Sequence, residues 1–147
     1  MKLINVYHRT EIRPTAAKFL YDLMKERDPE INISHEKMPS WAEHLHFIQS
    51  RPFRAWYLIE IGDTWVGYVS LTQNNEIGVV IKKDHRGKGY GPEAIQTIMR
   101  LYDPLPAQSA FRNGHWLANI SPENNHSRHI FEKLGFVKLQ ETYVWKS

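Results

Sequence analysis

Residues 76–94, EIGVVIKKDHRGKGYGPEA, constrain this chain more than any other stretch. They read in succession as a short apolar strand over 77–81, a basic polar turn over 82–85, a glycine-rich loop over 86–91, and a helix opened by Pro92. Gly87, Gly89 and Gly91 carry no Cβ, so the backbone can take φ > 0 and bring its N–H groups close to a ligand. Pro92 suits a first helical position, where its missing N–H costs nothing. A helix N-terminus beyond a glycine loop offers free N–H donors and the positive end of a dipole, so it attracts phosphate. Lys82, Lys83, Arg86 and Lys88 add four cations within seven residues. The unit is shaped for a polyanion, most simply a pyrophosphate.

Two familiar phosphate loops are excluded. The dinucleotide fingerprint G-x-G-x-x-G fails because Pro92 stands three residues after Gly89, and no Gly-Lys-Ser/Thr completes a P-loop. What fits is R-x-x-G-x-G, carried by Arg86, Gly89 and Gly91. A second stretch, residues 115–137, reads HWLANISPENNHSRHIFEKLGFV. Its apolar run 116–120 predicts a strand. Ser121 predicts a helix cap with Pro122 at the first position, and Gly135 predicts the C-terminal stop. Asn124, Ser127 and Phe131 fall at i, i+3 and i+7, on one helical face.

The first pattern resembles the acyl-CoA-binding loop of the GNAT superfamily of N-acetyltransferases. The second resembles that family's C-terminal CoA-side motif, N-x-x-S/A-x-x-x-Y, running into E-K-L-G-F at residues 132–136. The two lie in the family's order. The resemblance covers residues 55–147 well and the first 50 loosely. It implies an α+β fold with a mixed central sheet of six to seven strands flanked by about four helices. The strands carrying Val79, Val80 and Ile81 and residues 116–120 would be parallel neighbours that splay apart, with a pantetheine arm between them. Acetyl-CoA is then the implied co-substrate. Val79, Val80 and Ile81 would contact pantetheine. Arg86, Gly87, Lys88, Gly89, Tyr90 and Gly91 would hold the pyrophosphate. Asn124, Ser127 and Phe131 would complete the cofactor side.

Acetyl transfer needs a held thioester, a neutral amine and a stabilised oxyanion. Glu76, at the start of the core strand, is the leading candidate for general base, because several members of the family place a glutamate close by. The alternative is a solvated residue at a strand end. Asn119 is the second catalytic candidate, able to orient an amine or a water but not to act as a base. The alternative there is a satisfied strand-end polar group. The sequence departs from the family at Phe131, where a tyrosine usually stands to protonate the leaving thiolate. A phenyl ring cannot do so, and Phe131 is expected to pack.

The 147 residues fit one domain, 1–147, and 41% apolar and 12% aromatic residues supply a core. A net charge of +3 suits an anionic cofactor and is too weak to indicate nucleic acid. With no cysteine there is no thiolate nucleophile, which favours direct transfer in a ternary complex. No metal is expected: His44 and His46 face different ways, and His126 and His129 lack a third ligand. The histidines are expected at the surface or in caps, and the tryptophans in the core. No membrane segment or signal core is visible, so a cytoplasmic monomer or homodimer without nucleic-acid or membrane partners is expected.

Along the chain, a strand is predicted over 3–8 and a helix over 15–27, stopped by Asp28 and Pro29. A polar loop over 28–39 leads to a helix with a Ser40/Glu43 capping box. Strands at 55–61, 65–71 and 77–81 form an antiparallel meander, and Ile95, Ile98, Met99 and Tyr102 mark a helix face. Two short strands, 136–140 and 142–145, follow the last helix. The expected activity is acetyl transfer to a primary amine of a small molecule, such as an amino sugar, or to an N-terminus. W-x-x-H-x-x-F (Trp41, His44, Phe47) would wall the acceptor side. The rival expectation is a non-catalytic CoA-binding sensor.

Overall fold

The computed structural model describes residues 1–8, 11–12, 14–27 and 37–147. Strand β1 (Lys2–Asn5) precedes a short pair, β2 (Tyr7–His8) and β3 (Glu11–Ile12). Helices α1 (Pro14–Glu26) and α2 (Trp41–Gln49) follow. The meander is β4 (Ala55–Ile61), β5 (Thr64–Leu71) and β6 (Ile77–Ile81). A single 3-10 turn (Lys83–His85) leads to α3 (Tyr90–Leu101), and α4 (Asn125–Lys133) comes last. The predicted stop at Asp28 and Pro29, and most of the polar loop after it, lie outside the described residues.

Local chemistry explains the elements. The Glu43 N–H donates to Ser40 Oγ, and the Ser40 N–H donates to Glu43 Oε1, both at 3.1 Å, so α2 opens on the predicted capping box. In β5, Val66 is an extra residue opposite the Ile59/Glu60 step, a bulge that sharpens the local twist. Next to it, Gly67 lies so close to β6 that a Cβ would meet the Val80 carbonyl oxygen at 2.1 Å. α4 ends on Gly135 at φ +95. The Gly135 N–H donates to Glu132 O and the Phe136 N–H to Phe131 O, each at 3.0 Å. Phe136 then packs edge-on against Phe131, ring centres 5.0 Å apart, the apolar contact that accompanies this helix end.

The main sheet has the order β1-β4-β5-β6 and is antiparallel throughout. Both faces are covered. Ala16, Ala17 and Leu20 of α1 and Ile48 of α2 bury against Val6, Trp56 and Leu58. Ala94, Ile95 and Ile98 of α3 and Phe131 of α4 bury against Ile59, Val69, Leu71 and Ile77. Among the described residues no helix is long and apolar enough to cross a membrane.

Two expectations are corrected. The sheet has four strands, not six to seven, and it is not mixed. Residues 116–120 touch β6 through one parallel bridge, Glu76 with Leu117, and residues 136–140 and 142–145 form no strand. Their apolar alternation marks what can pair; it does not supply an edge to pair with. The second correction is His44, which is 1% exposed and therefore neither a surface nor a capping residue. Trp56 is buried as expected, whereas Trp41 is 39% exposed, stacked edge-on against Tyr21.

His44 Nε2 donates to the Ala17 carbonyl at 2.9 Å, which fixes the tautomer and ties α2 to α1. Its Nδ1 is buried with no partner among the described residues. Burial lowers the ring's pKa, opposed in part by the Ala17 bond. The folded pKa lies below the unfolded value of about 6.5, so the neutral ring's stabilisation holds above that pH and is lost as pH falls through the folded value. The thermal unfolding midpoint is expected to drop between pH 7 and pH 5. His44→Gln, which keeps a donor toward Ala17, should start lower at pH 7 and show a shallower drop. An unchanged pH dependence in that variant would exclude His44 as its source.

Candidate functional site

The site is built outward from the turn before β6. Thr72 N–H donates to Glu76 O at 2.9 Å and Asn75 N–H to Thr72 O at 3.2 Å. Asn75 sits at φ +65, a conformation asparagine tolerates better than most residues. Its side chain is 0% exposed and fully engaged. Nδ2 donates to Leu105 O (2.9 Å) and Asn113 O (2.8 Å), and Oδ1 accepts from Leu105 N–H (2.7 Å). The Asn75 carbonyl then accepts from Leu117 N–H at 2.9 Å, and Ile77 N–H donates to Leu117 O at 2.8 Å. The chain from 113 to 117 is thereby set beside the start of β6.

This brings the two catalytic candidates into contact. Asn119 Nδ2 donates to Glu76 Oε2 in a short hydrogen bond. Thr72 Oγ1 donates to Glu76 Oε1 at 2.8 Å while accepting from the N–H groups of Glu76 (3.1 Å) and Asn74 (3.2 Å). Those two incoming N–H groups occupy the Thr72 oxygen's acceptor capacity and leave its own proton for the carboxylate. Glu76 is thus clamped from both sides.

Beyond the Leu117 bridge the two segments diverge. Glu76 and Lys82 are bonded to β5 at Thr72 and Val66, so by the antiparallel alternation the even-numbered residues of β6 face β5. Ile77, Val79 and Ile81 then direct their backbone groups the other way. Ile77 N–H meets Leu117, and Ile81 O accepts from Arg86 Nε at 3.1 Å. Val79 N–H and C=O have no partner among the described residues.

They open on a small cleft of about 40 Å³ that gathers residues from both sequence motifs: Val79, Val80, Ile81 and Arg86 from the first, Asn124 and Ser127 from the second. Arg27, His126 and Ile130 complete it, so its walls carry two guanidinium groups and no carboxylate. His126 is held below the usual histidine range by burial first, then by the charges of Arg86 and His129.

The loop that follows differs in detail from the sequence expectation. α3 starts at Tyr90, with Gly89 as its cap at φ +84, so Pro92 is the third helical residue and not the first. The first intrahelical bond is Glu93 N–H to Gly89 O, at 3.2 Å. Among the described residues the N–H groups of residues 87–91 have no acceptor. Gly87, Lys88 and Gly89 are exposed; Tyr90 packs partly against the core; Gly91 is buried, where a Cβ would meet Ile130 at 3.3 Å. α4 is capped by Asn124 and not Ser121: Asn124 Oδ1 accepts from Ser127 N–H at 3.0 Å. Phe131 is 2% exposed in the core and does not line the cleft.

The sequence left Thr72, Asn75, Arg27 and His126 without roles. Only Asn75 carried a signal, as an asparagine in the short connection between the predicted strands 65–71 and 77–81. Asn75→Asp keeps the shape but turns an acceptor toward the Leu105 and Asn113 carbonyls. It is expected to cost on the order of 3 kcal/mol in chemical denaturation. A loss below about 1 kcal/mol would show that the amide does not hold these segments.

No curated protein sequence matches the chain. Among solved structures, a domain from Methanocaldococcus jannaschii DSM 2661 is 23% identical, with TM-score 0.68 over 90% of this chain and 88% of that one. A ribosomal-protein-alanine N-acetyltransferase from Brucella melitensis is 16% identical, with TM-score 0.67 over 95% and 86%. A ribosomal L7/L12 alpha-N-protein acetyltransferase in complex with coenzyme A is 16% identical, with TM-score 0.64 over 90% and 82%. At such identities the likeness shows a shared fold. The family model described as an acetyltransferase (GNAT) domain matches residues 9–137. The chain belongs to the GNAT acetyltransferase family.

Proposed function

We propose that the protein moves the acetyl group of acetyl-CoA to a primary amine by direct attack within a ternary complex. The clamped Glu76 carboxylate carries this reading, because it stands where β6 and residues 116–120 part, three residues before the unpartnered Val79 N–H. In the reaction the amine gives its proton to Glu76, and its lone pair attacks the thioester carbon. The Val79 N–H donates to the oxyanion, and the C–S bond breaks on collapse. With Phe131 in the tyrosine position, the sulfur leaves as thiolate, reasonable for a thiol with pKa near 8.5.

The cofactor lies along the diverging strands. The N–H groups of residues 87–91 take the pyrophosphate, with Arg86 and Lys88 neutralising it. Val79, Val80 and Ile81 take the pantetheine amides. Asn124 offers its Nδ2 and Ser127 its hydroxyl, while Tyr90, Gly91 and Phe131 hold α3 and α4 in place. The cleft's cation-lined walls fit a diphosphate.

The acceptor class follows from energetics. At pH 7 a lysine amine near pKa 10.4 costs roughly 4.6 kcal/mol to deprotonate, and an α-amine near 7.8 roughly 1.1. One general base supplies about 10²–10⁴-fold, or roughly 3–5 kcal/mol. The easier amine suits a site with one base and no tyrosine acid. An amino sugar or an N-terminus is therefore favoured over an internal lysine. Similarity to an alpha-N-protein acetyltransferase points the same way. His44, bonded inward to Ala17, is withdrawn from the acceptor wall. The rival, a CoA-binding sensor without catalysis, draws on the buried phenyl ring at 131.

Calorimetry with acetyl-CoA is expected to show about 10–100-fold weaker binding for Arg86→Ala, from the loss of one charged contact. Gly89→Val, which forces a branched residue to φ +84, should abolish binding. Unchanged affinity in a folded Gly89→Val variant would move the cofactor elsewhere.

CoA release should be followed with amino-sugar nucleotides, amino acids, N-terminal peptides and lysine peptides. Turnover is expected on the first three, with Glu76→Gln slower by about 10²–10⁴-fold at undiminished acetyl-CoA affinity. Activity confined to internal lysines would refute the acceptor class. Tight binding with no turnover on any acceptor would favour the sensor.

A further inference from the structure

The cleft beside β6 gathers side chains able to carry positive charge from three separate parts of the chain. Arg27 follows α1, Arg86 follows the 3-10 turn, and His126 stands in the first turn of α4. Among the described residues no acidic side chain lines it. Glu26 and Glu123, the carboxylates next to Arg27 and Asn124 in sequence, accept elsewhere: Glu26 from Lys83 N–H at 3.1 Å and Glu123 from the Ser121 hydroxyl at 2.9 Å.

The polar groups of the cleft are not equally engaged. Asn124 Oδ1 is spent on Ser127 N–H, and Arg86 Nε on Ile81 O. The His126 ring makes no hydrogen bond among the described residues, and it stands exposed at the cleft's rim. Its surroundings oppose a second proton. Partial burial against the cleft, then the charges of Arg86 and His129, hold the ring below the ordinary histidine range of about 6.5, so it is neutral at pH 7. Arg27 shares the cleft, and α4 presents the positive end of its dipole at this turn. A diphosphate reverses that balance. Its oxygens offset both guanidinium charges and accept from an imidazolium N–H.

We propose that His126 is a cofactor-binding residue that takes up a proton as the diphosphate of acetyl-CoA is seated, neutral in the free protein and an imidazolium in the complex. The inference rests on the acetyl-CoA reading above. The proton passes from the buffer to a ring nitrogen, and no other bond changes. Linkage fixes the sign. Binding makes the ring more basic, so its contribution to affinity is whole below the free protein's pKa and is lost as pH rises through that of the complex. Arg27 and Arg86 cannot produce such a dependence, because a guanidinium keeps its charge throughout. The other side chains here that titrate in this range are His129, one turn along α4, and His85, beside Arg86 in sequence.

Calorimetry of the intact protein with acetyl-CoA near pH 7, in PIPES and in Tris, reads the proton directly, because the two buffers release it with different heats. The native chain should take up a fraction of a proton more than His126→Asn. The difference removes the titration of the cofactor's own phosphates. His129→Asn should keep the uptake. From pH 5 to pH 8 the native affinity should fall by up to about tenfold more than that of His126→Asn, the change expected for a pKa raised by about one unit. His126→Lys places a fixed cation at the same exposed position, so it should lose the uptake and hold its affinity to pH 8. A proton count and pH dependence unchanged in His126→Asn overturn the proposal, since the proton then belongs to His129, His85 or the cofactor. Uptake abolished by His129→Asn and kept by His126→Asn overturns it too. Acetyl-CoA binding without proton uptake removes this inference alone, whereas no binding at all removes the cofactor reading and this inference with it.

Discussion

Asn75 holds a left-handed turn, and its buried amide is bonded to both backbone groups of Leu105 and to the carbonyl of Asn113. Those residues follow α3 and precede the 116–120 segment, so one side chain ties the turn before β6 to a connection 30 to 38 residues further along the chain. The carbonyl of the same residue then receives Leu117 N–H. Without this junction nothing fixes residues 116–120 against β6, and Glu76 and Asn119 have no reason to meet. A buried amide is worth its desolvation only when fully bonded, and this one is. That makes it a specifying interaction, because alternative placements of the 105–117 chain leave it unsatisfied.

The divergence after Leu117 is as consequential as the junction. An edge strand leaves one side of its backbone to be paired by something else. Here β6 is complete on the β5 side and open on the other. Arg86 returns to Ile81 O, and one wall of the cleft comes from α4, itself fixed at both ends by Asn124 and Gly135. The backbone left over at Val79 is therefore held by rigid neighbours, the condition under which a donor can be aimed at a developing charge without reorganising.

Where chemistry is local, the sequence was a good guide. The Ser40/Glu43 box, the β4–β5 hairpin, the α3 face and the stop at Gly135 depend on residues a few positions apart, and each lies where the pattern places it. Helix starts were less legible. Gly89 rather than Pro92 opens α3, because left-handed backbone at the glycine turns the chain into the helix before the proline is reached. Asn124 outcompetes Ser121 because its amide reaches Ser127 N–H, while the Ser121 hydroxyl is spent on Glu123. Thr72 and Asn75 were given no role in the site, since their partners are set by tertiary contact and polar residues in a turn look like solvent-facing ones. Residues 116–120 pair with the start of β6 in parallel and then part from it, as the pattern predicts, whereas the strand pattern of 136–145 has no paired edge. Alternation identifies a segment able to pair and does not by itself supply the edge.

The two ends of β6 carry opposite chemistry. At its end Arg86, Lys88 and the free N–H groups of the loop form a region for an anion, and Arg27 reaches into the same cleft. At its start stands a carboxylate, clamped by a hydroxyl and an amide. Five residue steps separate Glu76 from Ile81, roughly 17 Å of strand. A ligand that satisfies both ends must be elongated, with its charge confined to one end and an uncharged arm along the open edge of Val79. Placing the carboxylate near the anion site would have been self-defeating, since like charges within a few ångströms repel by several kcal/mol at low effective dielectric. In the proposed mechanism the length of one short strand keeps the cofactor's charge away from the base, and the same unpaired edge that spaces them offers the hydrogen bonds that would lay the arm down between.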